Sequence, residues 1–161
     1  MKKTPSKPQN PKARALQLLT RRDLTGEELR RRLSRDGFAD EEIAEVITWL
    51  DELKYLDDQR TAQNWVEQRN RYRPTGTYAL QHELKNKGVS DEIISQVVNS
   101  PETEYELAMR LAQARLKSMS KVPTEKQYQR IGSLLGRRGF SWDVISKVLH
   151  ALFQSCLDTD S

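Results

Sequence analysis

The apolar residues of the chain recur with a helical period inside a larger unit of 51 residues. LSRDGFADEEIAEVI at 33–47 is followed at that spacing, without a gap, by LKNKGVSDEIISQVV at 84–98 and LGRRGFSWDVISKVL at 135–149. A fixed period of this size is typical of tandem structural repeats. Six columns align across the three copies: Leu29/Leu80/Ile131, Leu33/Leu84/Leu135, Gly37/Gly88/Gly139, Phe38/Val89/Phe140, Ile43/Ile94/Ile145 and Val46/Val97/Val148.

Each copy of the unit predicts two helices that meet at a glycine. Apolar residues four positions apart share one face of a helix, both before and after the turn. The Gly37 column is expected to end the first of these helices in the left-handed region, which glycine adopts without strain. Ser90 and Ser141 are predicted to cap the following helix, because a serine hydroxyl accepts from amides of the first turn. In the first copy Ala39 stands at that position, and Asp40 is the predicted cap.

A further helix precedes each pair, so the pattern predicts nine helices and no sheet. In the first copy this helix is expected from about Ala13 to Thr20, with Leu16 and Leu19 facing inward. The predicted fold is all-α, with three tandem three-helix repeats in an elongated, curved array. The expected organisation is a disordered basic tail at 1–12, repeats at 13–56, 57–102 and 103–156, and a C-terminal tail at 157–161.

Charge alternates along the chain in step with the repeat. The net charge of +4 resides in the first twelve residues, and the remainder is neutral. Residues 13–38, 59–88 and 107–140 are net basic, whereas 39–58, 89–106 and 141–161 are net acidic. Equivalent helices of stacked repeats lie on the same side, so one positive and one negative face are expected. No apolar run is long enough to span a membrane and no secretory signal is evident, so a soluble cytoplasmic protein is expected. A monomer is also expected.

The positive face is the candidate binding surface. An extended basic face fits a polyanion such as DNA, or an acidic protein groove. The alternative is a solvated helix face with intrahelical pairs such as Glu27–Arg31 and Glu28–Arg32. Recurrence in all three copies favours the binding interpretation. The candidate residues for contact with DNA or a filament are Arg30, Arg31, Arg69, Arg73, Lys85, Arg137 and Arg138.

The motifs admit other functional interpretations. A helix-turn-helix that reads the major groove needs a basic second helix, and here that helix is acidic, so groove reading is disfavoured. Trp142 stands in the first turn of such a helix where the other copies have Asp, so it is a candidate exposed residue that stacks on bases. His82, His150 and the single cysteine, Cys156, stand apart from any catalytic pattern. No enzyme activity, metal or cofactor is predicted.

Three segments resemble the RecX regulatory proteins of bacteria. They are YLDDQRTAQNWVEQR from Tyr55, GTYALQHELKNKG from Gly76 and LLGRRGF from Leu134, and ALQLLTRRDLTGEELRRRL fits the opening of the same family. The resemblance covers about residues 13–154. It implies tandem three-helix repeats and inhibition of the RecA recombinase. Such proteins are thought to lie in the groove of the RecA–DNA filament and to block strand exchange, ATP hydrolysis and LexA-type coprotease activity.

The chain departs from this family in its central repeat. Members commonly carry arginines in a segment like G-P-x-R-I-R-x-E-L, whereas Ala79 and Gln81 stand at those positions here and Thr77 replaces the proline. Glu83 and Leu84 are retained. The central basic patch is therefore expected to be thinner than in those members. The expected partners are the RecA filament and single- or double-stranded DNA bound without sequence preference. The alternative function is a plain nucleic-acid-binding helical protein that has no recombinase partner.

Overall fold

The computed structural model describes residues 10–157 of the 161-residue chain. Within that range the chain forms nine α-helices and no strand, which confirms the predicted fold class of three tandem three-helix repeats. The expected terminal tails fall largely on residues 1–9 and 158–161, which lie outside the described residues. The helices are α1 (Pro11–Arg21), α2 (Gly26–Arg35), α3 (Asp40–Glu52), α4 (Asp58–Tyr72), α5 (Thr77–Asn86), α6 (Asp91–Val97), α7 (Pro101–Lys117), α8 (Thr124–Arg137) and α9 (Trp142–Leu157).

The glycine column forms the same turn in all three repeats. Gly37, Gly88 and Gly139 have φ of 91°, 78° and 80°, in the left-handed region that favours glycine. In each copy the amide of the following residue donates to the carbonyl five residues earlier, at 3.0–3.2 Å. This bond satisfies one of the carbonyl groups that every helix end leaves unpaired. The predicted role of these glycines is confirmed.

The helix that follows the turn is capped by a side chain in two of the three repeats. Ser90 Oγ accepts from Ile93 N at 3.4 Å, and Ser141 Oγ accepts from Val144 N at 3.3 Å, as predicted. The prediction for Asp40 is wrong, because Ala39 occupies the N-cap of α3 and makes no side-chain bond. The strict register of the repeat places the cap at position 39. Asp40 is the first helical residue, where its charge complements the helix dipole.

The first helix differs from its prediction in start and orientation. Asn10 caps α1, which begins at Pro11 rather than near Ala13. Its buried residues are Ala15 and Leu18, whereas Leu16 is 37% exposed. The inward prediction was therefore wrong for Leu16, because the buried stripe centres on its neighbours.

The described residues form two compact units. The first comprises those up to Gln63 together with Leu84–Ile94, and the second comprises Asn64–Glu83 and those from Ser95 onward. Each has its own apolar core, to which the repeat columns contribute several residues. The core of the first unit contains Ala15, Leu18, Leu24, Leu29, Leu33, Ile43, Val46, Leu50 and Leu56. The core of the second contains Leu107, Ala108, Ala112, Met119, Ile131, Leu135, Phe140, Val144, Ile145, Val148, Leu149 and Phe153.

Candidate anion-binding surfaces

The first unit contains a junction between the start of α2 and the α5–α6 turn. Thr25 and Glu28 form a capping box, in which each side chain accepts from the backbone amide of the other residue. The Thr25 hydroxyl also donates to the Lys87 carbonyl, and Lys87 Nζ lies 2.9 Å from Glu28 Oε1. Gly26 N donates to Asp58 Oδ1 at 2.9 Å. These bonds hold the basic helix α2 against the next repeat.

The second unit contains the equivalent junction, one period further along the chain. Gly76 N donates to the Arg138 carbonyl at 2.8 Å, which matches the Thr25–Lys87 bond in register. Glu104, only 5% exposed, accepts from Thr77 N at 3.2 Å and from Ser141 N at 3.1 Å. Its carboxylate therefore lies at the starts of both α5 and α9, where anions are stabilised. This junction fixes the backbone that carries Arg138.

Three predicted site residues come together at this second junction. The pKa of Arg138 is lowered from its usual value, first by desolvation and then by the positive charges of Arg73 and Arg69. Arg138 donates to the Pro74 carbonyl at 3.1 Å. Among these three guanidinium groups, Arg69 is neutralised by Glu83 at 3.0 Å. The remaining like charges repel one another, and a bound anion would relieve that repulsion.

A basic groove in the second unit runs between α7 and α8 and includes Arg138. Its volume is about 390 Å³, and its described lining contains four arginines and no carboxylate. Arg137, a predicted site residue, is exposed and makes no salt bridge within residues 10–157. A groove of this charge favours an anionic ligand. It is lined by Leu111, Ala114, Arg115, Ser118, Arg130, Leu134, Arg137 and Arg138.

The first unit has a corresponding groove between α1 and α2. Its volume is about 420 Å³. It also contains Glu28, so its positive potential is partly neutralised within the site. The groove is lined by Leu18, Arg21, Arg22, Leu24, Glu28, Arg31, Arg32, Arg35 and Asn86.

The remaining predicted site residues belong to the first unit and are paired with acids. Glu27 lies 2.6 Å from Arg30 and 3.0 Å from Arg31. The hydrogen bond from Arg30 is the main reason that the pKa of Glu27 falls from 4.5 to about 2. Lys85 lies 3.5 Å from Asp91, and both side chains are exposed. The expected Glu27–Arg31 pair is thus present.

The α7–α8 groove includes an arginine that the sequence reasoning missed. Arg130 was not among the candidates. It stands seven residues before Arg137, which is two helical turns, so both project from one face of α8. That spacing was a usable signal. Arg115 lies in the net basic block 107–140 but is not one of the candidate residues, and the groove places it with Arg130 and Arg137.

Among the described residues, no group of His, Cys, Asp and Glu side chains could hold a metal ion. None of the described helices is long and apolar enough to cross a membrane. Trp142, a candidate for base stacking, is 74% exposed, whereas Trp49 and Trp65 are half-buried.

Comparison with known proteins gives consistent matches along the chain. Models described as the first, second and third three-helix domains of RecX match residues 12–50, 57–98 and 102–149. The regulatory protein RecX of Prosthecochloris aestuarii is 36% identical over 141 residues, covering 86% of this chain and 91% of the relative. The regulatory protein RecX of Vibrio parahaemolyticus is 34% identical over 139 residues, covering 86% and 88%.

Solved structures share the fold. The crystal structure of RecX from Lactobacillus salivarius matches with a TM-score of 0.79 at 22% identity, over 88% of this chain and 94% of that chain. A second crystal structure, of a regulatory protein RecX, matches with a TM-score of 0.75 at 21% identity, over 86% of this chain and 69% of that chain. At these identities the likeness shows the fold alone.

Proposed function

The chain belongs to the RecX family of regulatory proteins, and from that premise we propose that it binds RecA–DNA filaments and inhibits their activities. The activities are strand exchange, ATP hydrolysis and coprotease function. The protein acts by binding rather than by catalysis, in the cytoplasm and as a monomer. The three repeats at 13–56, 57–102 and 103–156 serve as its contact modules.

The observation that carries this proposal is the concentration of arginines in the second unit, of which Arg69 is paired with Glu83. The α7–α8 groove and the cluster of Arg69, Arg73 and Arg138 share Arg138, so they form one positive surface. Such a surface attracts phosphates or acidic protein patches over a distance of about 10 Å at 0.1 M salt. A nucleoprotein filament presents both kinds of anionic group.

Inhibition is steric in this proposal. The helical repeats occupy the filament groove where a second duplex enters, and bound arginines resist movement of neighbouring recombinase subunits. Arg30, Arg31 and Lys85 of the first unit extend the contact, but each is partly neutralised by an acid. The second unit therefore contributes the larger electrostatic share. Binding weakens as salt rises, with a slope of roughly one per phosphate contact.

A strand-exchange assay with purified RecA tests the proposal. The protein is expected to inhibit exchange at a stoichiometric ratio to recombinase, and no effect at that ratio would remove the proposed function. The variant Arg73→Glu/Arg137→Glu is expected to inhibit much less, because it reverses two exposed charges of the surface. Its matched control, Glu41→Lys/Glu42→Lys, changes the net charge by the same amount in the opposite direction. Equal loss in both variants would contradict a polarised contact surface.

Binding to bare nucleic acid without a recombinase is the second candidate function. The same arginine groove favours it, since phosphate binding requires no protein partner. Affinity for the filament and for its DNA alone, measured at one salt concentration, separates the two. Equal affinities would favour the nucleic-acid-only function.

A further inference from the structure

Exposed aromatic rings surround the junction of the second unit. Trp142 is 74% exposed and Tyr78 is 65% exposed. Tyr78 N donates to the Gly139 carbonyl at 3.1 Å, and Gly139 stands three residues before Trp142. The two rings therefore project from backbone segments that are bonded to each other. Tyr72, at the end of α4, is 76% exposed and lies two residues before Pro74, which Arg138 contacts.

The equivalent junction of the first unit shows that the fold does not require rings at these positions. One period earlier, Glu27 aligns with Tyr78 and Asp91 aligns with Trp142. The first junction has the same glycine helix end, and there the Thr25 hydroxyl donates to the Lys87 carbonyl, where the second junction uses the Gly76 amide and the Arg138 carbonyl. Carboxylates therefore satisfy the fold at both sites. Single exposed apolar residues are common on protein surfaces, but a matched pair that replaces two acids calls for another explanation.

The charges around the rings indicate what they bind. Arg138 carries a lowered pKa because it is partly desolvated and lies near Arg73 and Arg69. The guanidinium of Arg71 lies 5.9 Å from the centre of the Tyr72 ring. Exposed rings interleaved with guanidinium groups are typical of surfaces that bind unpaired nucleotides, since bases stack on the rings and phosphates pair with the cations. A duplex offers the same phosphates, but its bases are already stacked.

We propose that the second unit binds a single nucleic-acid strand by stacking unpaired bases on Trp142 and Tyr78, with the phosphates on Arg73 and Arg138. Tyr72 extends the same surface. The inference deepens the proposed function and rests on it for the source of the strand, the DNA of a recombinase filament. The first unit, with acids at the aligned positions, lacks such a platform.

The test uses the full chain and no recombinase. The probes are an oligothymidylate of about 20 nucleotides, an abasic deoxyribose-phosphate strand of the same length, and a duplex of that length. Trp142 fluorescence is taken as the difference between the wild type and Trp142→Phe. Oligothymidylate is expected to quench it, and the abasic strand is not. Equal affinity for the abasic strand would show that phosphates alone are bound and would overturn the proposal, as would equal affinity for the duplex.

Substitution at the ring positions gives an independent readout. Trp142→Ala is expected to weaken oligothymidylate binding by roughly 5- to 150-fold, the effect of losing one stacked base, and to leave abasic binding unchanged. Trp142→Phe keeps a ring and should lose less. Tyr78→Phe, which removes only the hydroxyl, should bind like the wild type, whereas Tyr78→Ser should not. An unchanged affinity in Trp142→Ala would overturn the proposal.

Two controls keep the outcomes interpretable. Circular dichroism and the thermal midpoint of Trp142→Ala should match the wild type, because the side chain is mostly exposed and the Ser141 cap remains. Tyr55→Ala removes a ring of the first unit that is 58% exposed, changes no charge, and should not affect binding of the thymidylate. Failure to inhibit strand exchange would remove the proposed function without touching these binding results. If the bases do not stack, the stacking proposal fails, but the proposed inhibition of the recombinase is unaffected.

Discussion

Replacing Glu27 with glutamine tests whether this acid keeps Arg30 and Arg31 of α2 from contacting a polyanion. The Glu27 carboxylate lies 2.6 Å from Arg30 and 3.0 Å from Arg31, so one carboxylate neutralises two predicted contact residues. The Arg30 hydrogen bond is the main cause of its pKa of about 2, and the carboxylate is therefore ionised under any binding condition. Glu27→Gln removes one negative charge and releases both guanidinium groups.

The expected gain follows from counterion release. One or two additional phosphate contacts should steepen the dependence of log K on log salt by about 0.7–1.8, at roughly 0.7–0.9 per contact. For a fourfold dilution of salt, this slope corresponds to an additional gain in affinity of roughly 3- to 12-fold. The cost to the helix is small, since an intrahelical pair contributes about 0.2–0.5 kcal/mol.

Fluorescence anisotropy over a salt series measures this slope, with a labelled oligonucleotide or a labelled filament. Glu42→Gln on α3 is the matched control, because it makes the same charge change on an exposed acidic helix. Its slope should stay within error of the wild type. If Glu27→Gln and Glu42→Gln steepen the slope equally, the effect is one of net charge. If neither changes it, α2 does not face the polyanion.

The same variant should also change how the free energy of unfolding depends on pH in the acid range. The pKa of Glu27 is lowered in the folded protein from 4.5 to about 2. The stability that its ionised form contributes is therefore fully present above about pH 4.5 and is lost as the pH falls towards 2. Denaturant unfolding of Glu27→Gln should differ from the wild type at neutral pH and converge with it near pH 2. A constant difference across that window would refute the assigned pairing.

Three further predictions concern the junctions and turns. Ala39→Ser should supply the cap that α3 lacks and raise the free energy of unfolding by about 1 kcal/mol, seen as a thermal midpoint higher by roughly 2–4 °C; no gain would contradict the cap register. Gly139→Ala should lower the free energy of unfolding by about 1–3 kcal/mol, because φ is +80° and a Cβ would lie 2.6 Å from Ala79 N. Gly136→Ala, with open space around the added Cβ, should raise it by about 0.5–1 kcal/mol. Effects of the same sign in these two variants would refute the assignment. Glu104→Ala should cost about 2 kcal/mol or more in chemical denaturation by leaving two partly buried amides unpaired. Glu104→Gln, which keeps an acceptor, should cost less.

The sequence was sufficient to predict the fold because the aligned repeat columns supply buried residues of the cores. Leu33, Leu84 and Leu135 are each fully buried, and the three aligned glycines share one left-handed conformation. Because the same buried position recurs in all three copies, most other alignments of the copies with one another are excluded. The errors at Asp40 and Leu16 fall outside those columns. Asp40 was predicted as a cap because it is acidic, and Leu16 was predicted to be buried because leucine is more apolar than alanine. In both cases the position of the residue in the helix, rather than its type, decides the outcome.

The candidate site was less accessible to sequence reasoning because its charges are paired over long distances. Glu28 was expected to pair with Arg32 one turn away, yet its side chain contacts Lys87 at 2.9 Å. Arg69 and Arg138 are distant in sequence, yet the charge of Arg69 is one of the causes that lower the pKa of Arg138. The sequence could list the basic residues, but not which of them keep their charge unneutralised.

The repeats also explain where functional differences can accumulate. Each junction needs a helix start, a glycine turn and a bond between them, which accounts for the aligned glycines, and packing of the cores accounts for the aligned apolar columns. Side chains that point away from the junction are not constrained by them, so Glu27 in one copy can stand where Tyr78 stands in the next. A protein built this way can present different surfaces on equivalent backbones without losing stability. The positions that differ between copies, rather than those that agree, are therefore the ones to examine for binding.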